Sequence, residues 1–215
     1  MKRSKRISAR FRKLLSLGAL IVAVPVANAE DSPFETYDLS WPDLKALDGV
    51  YLYGAAGKAK ASNWCSGTSQ CTDTVAGYGG GIGYKFVSPL EMEASYLASD
   101  TLSSIVGPFL VQADATFITL SLIASLYAAP EFALQARLGA THWDVRYSVR
   151  NPANQIVRSG SVTGYSPVFG AGVLIAPWKH INVRIEYQHI PNVGDSSITG
   201  QSDVDAVLAS LIIRF

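Results

Sequence analysis

Beyond residue 50 the apolar positions of this chain recur in steps of two. In 181–190, Ile181, Val183, Ile185 and Tyr187 fall on one side of an extended backbone, and Asn182, Arg184, Glu186 and Gln188 on the other. That is the period of a strand and not of a helix. Residues 114–126 repeat it, with Ile118, Leu120, Leu122, Ala124 and Leu126 opposite Phe117, Thr119, Ser121, Ile123 and Ser125. Segments of this kind near 50–61, 75–86, 90–100, 114–126, 132–147, 161–176, 181–190 and 203–215 predict an all-β chain. The last keeps an apolar stripe, Val207, Ala209, Leu211, Ile213 and Phe215, up to its final aromatic. Chain ends are normally frayed and polar; one that must be apolar to its last residue points to a strand closing a sheet in lipid, where unpaired backbone is not tolerated.

A chain so patterned is either a lipocalin-like soluble barrel, with the apolar face inside, or a barrel embedded in lipid, with that face outside. Residues 75–86 decide between them. One face carries Gly79, Gly81, Gly83 and Lys85, which cannot fill a core, while Tyr78, Ile82, Tyr84 and Phe86 suit acyl chains. A charge on the lipid side costs about 2–4 kcal/mol at mid-depth, so the polar and glycine faces belong inside. The connections agree: Val87–Pro89, Ala128–Glu131 and Pro177–His180 are tight and carry prolines, whereas 62–74, 100–113, 148–160 and 191–202 are long and polar. Short links at one end and long ones at the other predict an eight-stranded antiparallel up-and-down transmembrane β-barrel in the outer membrane of a Gram-negative-type bacterium, long loops outside. Aromatics are expected in two girdles, with Tyr51, Tyr53, Tyr84, Phe86, Tyr127, Phe132, Trp178 and Phe215 at the periplasmic interface. Tyr96, Phe117, Trp143, Tyr147, Tyr165 and Tyr187 are expected at the outer one.

The first 29 residues change the charge balance. Met1 to Lys13 is basic without an acid, Leu14 to Val26 is apolar, and Ala27-Asn28-Ala29 has the small residues of a cleavage site, so 1–29 reads as a secretory signal. The apolar run is too short for a spanning anchor. Seven of the 18 basic residues leave with the signal, so 11 remain against 17 Asp and Glu, a formal charge of −6. Such a balance argues against nucleic acid as a partner. Residues 30–48 read as a short periplasmic arm, and 49–215 as a single barrel domain.

From Arg137-Leu-Gly-Ala140 through Ser166-Pro-Val-Phe-Gly-Ala-Gly-Val173 and Arg184-Ile-Glu-Tyr-Gln188 to Asn192-Val-Gly-Asp195 and Phe215, the chain resembles the transmembrane domain of the outer membrane protein A (OmpA) family. The resemblance covers about 50–215 and implies an interior network of Glu, Arg and Lys that plugs the lumen and, in the family, has been proposed to gate a small pore. Glu93, Arg137, Arg184 and Glu186 match that pattern, and Lys85 on the glycine face joins the candidate interior charges. The family's Lys position on the fourth strand looks like Ser125, and its Glu position on the sixth like Leu174. Phe215 stands where the resemblance places the C-terminal assembly signal, so the barrel-assembly machinery is an expected partner beside outer-membrane lipid and lipopolysaccharide. The peptidoglycan-binding domain of larger members has no counterpart before Phe215, and a tether to the cell wall is not expected.

An eight-stranded barrel is only wide enough for its own side chains. Glu93 and Arg184 are therefore expected to share hydrogen bonds across a sealed centre. Cys65 and Cys71, in the first long loop of an exported chain with no His nearby in sequence, read as a disulfide rather than a metal site. No cofactor is implied. A lipid-modifying enzyme would need a base and nucleophile near the outer rim; His142 and His189 lie toward it, with Ser148 and Ser196 nearby in sequence, but nothing in their spacing marks a catalytic set. The GxGxxG-like run from Gly77 to Gly83 alternates as a strand and opens no helix, which argues against dinucleotide binding. Two readings remain: a structural membrane component whose surface loops contact ligands, and a narrow pore for small solutes.

Overall fold

The computed structural model describes residues 49–62, 64, 65, 68, 70–87, 89–129, 131–176, 178, 180–195 and 200–215. The expected signal and periplasmic arm lie outside the described residues. The strands are β1 (Val50–Ala61), β2 (Gln70–Thr72), β3 (Thr74–Val87), β4 (Leu90–Ser99), β5 (Leu102–Val106), β6 (Phe109–Ala129), β7 (Phe132–Arg150), β8 (Ile156–Ile175), β9 (Ile181–Val193) and β10 (Ser202–Arg214). Eight of them close a ring in the order β1-β3-β4-β6-β7-β8-β9-β10, every neighbour antiparallel, and β1 pairs with β10 from Tyr51↔Arg214 to Ala61↔Val204. Closure leaves no edge in the spanning region, which a lipid environment requires.

Alternation sets the faces as the sequence predicts. Ile118, Leu120, Leu122 and Leu126 are 49–70% exposed, while the intervening Phe117, Thr119, Ser121, Ile123 and Ser125 are at most 5% exposed. On β9, Ile181, Ile185 and Tyr187 face out, and Asn182, Arg184, Glu186 and Gln188 are buried. Among the described residues no helix is long and apolar enough to cross a membrane; the crossing elements are strands.

Two expectations change. The long outer connections are largely strand: β6 begins at Phe109, β7 continues to Arg150, and β8 starts at Ile156. β5 pairs with the start of β6 and β2 with β5, so the wall rises beyond the apolar belt. The polar composition of these stretches hid β-formers such as Val111, Val149 and Ile156, which pair across tight turns, with Val157 as an extra residue in the β7–β8 ladder. One turn holds Gly107 at φ 59°; in the other, Asn154 sits at φ 58° and the Asn151 side chain accepts from the Gln155 N–H at 2.9 Å.

The aromatic girdles are also thinner than expected. Tyr51 is fully buried and Tyr53 partly so, both on the inner face of β1. In the β1–β3 register Tyr51 lies opposite Gly83 and Tyr53 opposite Gly81. A Cβ at Gly83 would fall 2.1 Å from the Tyr51 ring, and one at Gly81 2.9 Å from the Tyr53 ring. The glycine face therefore receives aromatic rings, and this cross-strand fit fills what the glycines leave empty. Phe117 and Trp143 likewise point inward, Trp143 lying over Gly164, where a Cβ would meet the indole at 2.3 Å.

Candidate functional site: the filled lumen

The lower half of the lumen holds a connected set of charges. Glu93 on β4 accepts from Arg184 Nη1 at 2.6 Å and Nη2 at 3.1 Å, from Arg137 Nη2 at 2.6 Å and from the Tyr51 hydroxyl at 2.7 Å. Glu186 on β9 accepts from Arg137 Nε, from Arg137 Nη2 at 3.0 Å and from Gln188 Nε2 at 3.2 Å. Arg184 Nε lies 3.2 Å from Glu186, an ionic contact without hydrogen-bond alignment. Ser121 takes Arg137 Nη1, and the Arg184 guanidinium covers the Tyr53 ring at 4.9 Å. Two cations face two anions, all at most 5% exposed. Removing charge from water is costly unless each charge is paired and its donors are satisfied; this geometry pairs every charge and leaves Arg184 Nε as the donor held by an ionic contact alone.

Nearer the periplasmic mouth sits a second pair. Arg214 Nη2 lies 3.0 Å from Glu91, which is 1% exposed, and the Arg214 guanidinium covers the Tyr51 ring at 4.5 Å. With its amide oxygen turned inward, Asn182 accepts from Arg214 Nε at 2.8 Å. The Tyr51 hydroxyl also reaches Glu91 at 2.9 Å, so one phenolic proton is shared between two carboxylates and joins the two charge sets. Sequence reasoning missed Glu91, Tyr51 and Arg214. The signal was present: inward parity from Phe215 places Arg214 inside, and the glycines of β3 mark where rings must enter.

Lys85 is not brought into this set. It is half-buried at the periplasmic rim opposite Glu91, which Arg214 already holds, and its ammonium lies 5.5 Å from the centre of the Tyr127 ring. The two positions that depart from the family pattern are filled without charge. Ser125 accepts from Gln135 Nε2 at 2.9 Å, and Leu174 is buried with Ala133, Tyr51 and Ile212. The Lys and Glu of the family pattern are thus replaced together, which keeps the interior neutral.

The upper lumen is filled by different chemistry. Phe117, Trp143, Val145, Val168, Ile190 and Val193 form an apolar layer, with Trp64 against it and Trp143 Nε1 donating to Ser166 Oγ at 3.0 Å. Between the two layers, Thr119 donates to Thr141 at 2.9 Å. Above, Cys65 and Cys71 form a disulfide with Cα atoms 5.5 Å apart, tying β2 to the first outer loop. Among the described residues the rim histidines form no nucleophile pair. His189 Nδ1 lies 2.8 Å from Asp205, which also takes the Tyr187 hydroxyl, and His142 meets the Tyr165 ring edge-on. Ser148 sits in the β7 ladder, and Ser196 lies outside the described residues.

Residues 45–215 match the model of the OmpA-like transmembrane domain. The chain belongs to that family. Over 76 residues, 35% of this chain, it is 33% identical to outer membrane protein A of Klebsiella pneumoniae and 37% identical to that of Shimwellia blattae. Those matches span 22% and 31% of the relatives' own length. Among solved structures, Neisserial surface protein A superposes with a TM-score of 0.56 at 18% identity, covering 78% of this chain and 98% of that one. Ail, the attachment invasion locus protein of Yersinia pestis, gives 0.53 at 14%, covering 78% and 99%. These likenesses establish the fold and nothing more. Fold and family together make the protein an integral outer-membrane barrel.

Proposed function

We propose that this OmpA-like barrel is a structural component of the outer membrane: its lumen is a packed core, and its outer hairpins carry surface recognition. The observation that carries the reading is the pairing of Glu93 and Glu186 with Arg137 and Arg184, all buried, beneath an apolar layer of Phe117, Trp143 and Val168. A transport path would need solvated polar groups along its length; here the charges of the polar half are paired with one another and the other half is apolar. The partners that fit are the acyl chains and lipopolysaccharide of the surrounding leaflet, the assembly machinery reading Phe215, and surface ligands meeting the hairpins.

Planar-bilayer recordings of the refolded protein test the sealed lumen. Wild type, Glu93→Gln alone and Trp143→Ala alone are expected to conduct little, because either layer closes the lumen. The Glu93→Gln, Trp143→Ala double variant is expected to leak. Large, stable channels in wild type would sink the reading and favour the narrow pore. A lipid-borne quencher should reach a label at Leu120 or Ile185 and spare Arg184, and cold and boiled samples should migrate differently on gels. Deleting the hairpin tip 151–155 should reduce cell attachment without changing that migration.

A further inference from the structure

β8 is paired on one side from end to end, with one irregularity at Val157, and on the other along only part of its length. It pairs with β7 from Ile156 to Ile175, but with β9 only from Phe169 to Ile175. The cause lies in β9. At Phe169↔His189 the ladder stops, and β9 runs on through Pro191, which has no N–H to give, and Asn192 at φ 57° toward Gly194 at φ 98°. The chain turns away toward β10 and, among the described residues, leaves the outer part of β8, residues 156–168, with an open edge. On this edge Ile156 and Val157 are more than half exposed, and Tyr165 is 81% exposed.

Natural sheets guard such edges with prolines, repeated charges or bulges. On β8 such devices stand only at the two ends of the open stretch, an unpaired extra residue at Val157 and a proline at Pro167; between them, from Arg158 to Ser166, there is no proline and a single charge, Arg158. The opposite edge of the outer sheet is guarded: β2 is three residues long and closed by the Cys65–Cys71 disulfide. One edge is blunted and the other is left able to pair.

We propose that the open outer edge of β8 is a recognition surface that takes an extended polypeptide segment of a partner protein as an added antiparallel strand, with an acidic side chain facing Arg158. Backbone N–H and C=O groups in strand spacing are complementary to another strand, and antiparallel pairing is the stronger arrangement. A second copy in the same membrane does not fit. Every copy presents β8 running from outside inward, so two such strands meet in the same direction and not antiparallel. The proposal rests on the reading that the outer hairpins carry recognition, and it names which element does so.

The test uses the whole refolded barrel in nanodiscs and ten-residue peptides alternating Thr and Val, with Glu or Lys at the centre. Amide hydrogen exchange should show residues 156–166 exchanging at alternate positions without peptide and protected with it. Peptides N-methylated on alternate residues should bind in one register and fail in the other. The Glu peptide should bind about two- to fivefold more tightly than the Lys peptide, the size of one exposed ion pair, and Arg158→Glu should reverse the order. Edge amides already protected without peptide, no protection by any of the peptides at millimolar concentration, equal binding of both N-methyl registers, or an unchanged order in Arg158→Glu would each overturn the proposal. So would self-association in detergent that depends on residues 156–166, since a second copy would then be the occupant. If deleting 151–155 abolishes cell attachment while these amides stay unprotected, surface recognition stands and the strand-addition site falls.

Discussion

The lower and upper halves of the lumen are equally closed, but by opposite means. Below, Glu93, Glu186, Arg137 and Arg184 hold each other through directed hydrogen bonds; above, Phe117, Trp143, Val168 and Ile190 fill space by shape. The difference lies in what each half tolerates. A charge network loses far more from the removal of one partner than from replacement of the whole set, because the remaining charge stays buried and unpaired. An apolar layer loses in proportion to the volume removed.

Substitutions across the two layers sharpen this contrast. Glu93→Gln should cost the most, about 3–5 kcal/mol in urea unfolding from lipid vesicles, since both Arg137 and Arg184 lose a charged acceptor. A loss below about 1 kcal/mol would mean that water or lipid already compensates these charges. Gly83→Ala should cost about 1–3 kcal/mol by overpacking, because the new methyl would occupy the Tyr51 ring's place. It should also displace the hydroxyl from Glu91 and Glu93, which a shift in Tyr51 fluorescence or ring NMR signals would register. Ile190→Val in the apolar layer should cost only about 0.5–1.5 kcal/mol. Smallest of all, the Cys65→Ser, Cys71→Ser pair should leave the barrel midpoint within about 0.5 kcal/mol of wild type while speeding protease cleavage of the first outer loop. A large fall in that midpoint would mean that the loop supports the apolar layer through Trp64.

Much of this arrangement is readable from the chain alone, and its limits have physical causes. Strict two-residue alternation on β6 and β9 is enough to place Leu120 and Ile185 outward and Arg184 inward, because a one-residue error would put charge into lipid. Arg184 and Glu186 follow from the parity of β9, whereas Glu93 and Arg137 come from the resemblance to the OmpA family. Alternation alone did not separate Tyr51 and Tyr53 from true interface aromatics such as Tyr84, since a tyrosine near a strand end suits both places. Only the cross-strand register against Gly83 and Gly81 tells them apart, and register is a property of two strands. Lys85 had the right parity and the wrong depth: it lies at the rim, where Glu91 is already engaged by Arg214. The outer strands were hidden for another reason. Above the apolar belt the wall has water on one side, so Ser148 and Ser159 read as loop even though they pair with each other across β7 and β8.

The seam where Tyr51 meets Arg214 and the Phe215 N–H reaches the Val50 carbonyl joins the two extremes of the barrel sequence. No partial ring can shelter its edges, so hydrogen bonding to the bilayer's satisfaction is complete only when the final strand has docked. Assembly should therefore be slow and all-or-none, as expected when the defining contacts are the most distant along the chain. A polypeptide shortened by its last few residues should stall as an unzipped sheet, which makes the terminal strand the clasp on which every other pairing waits.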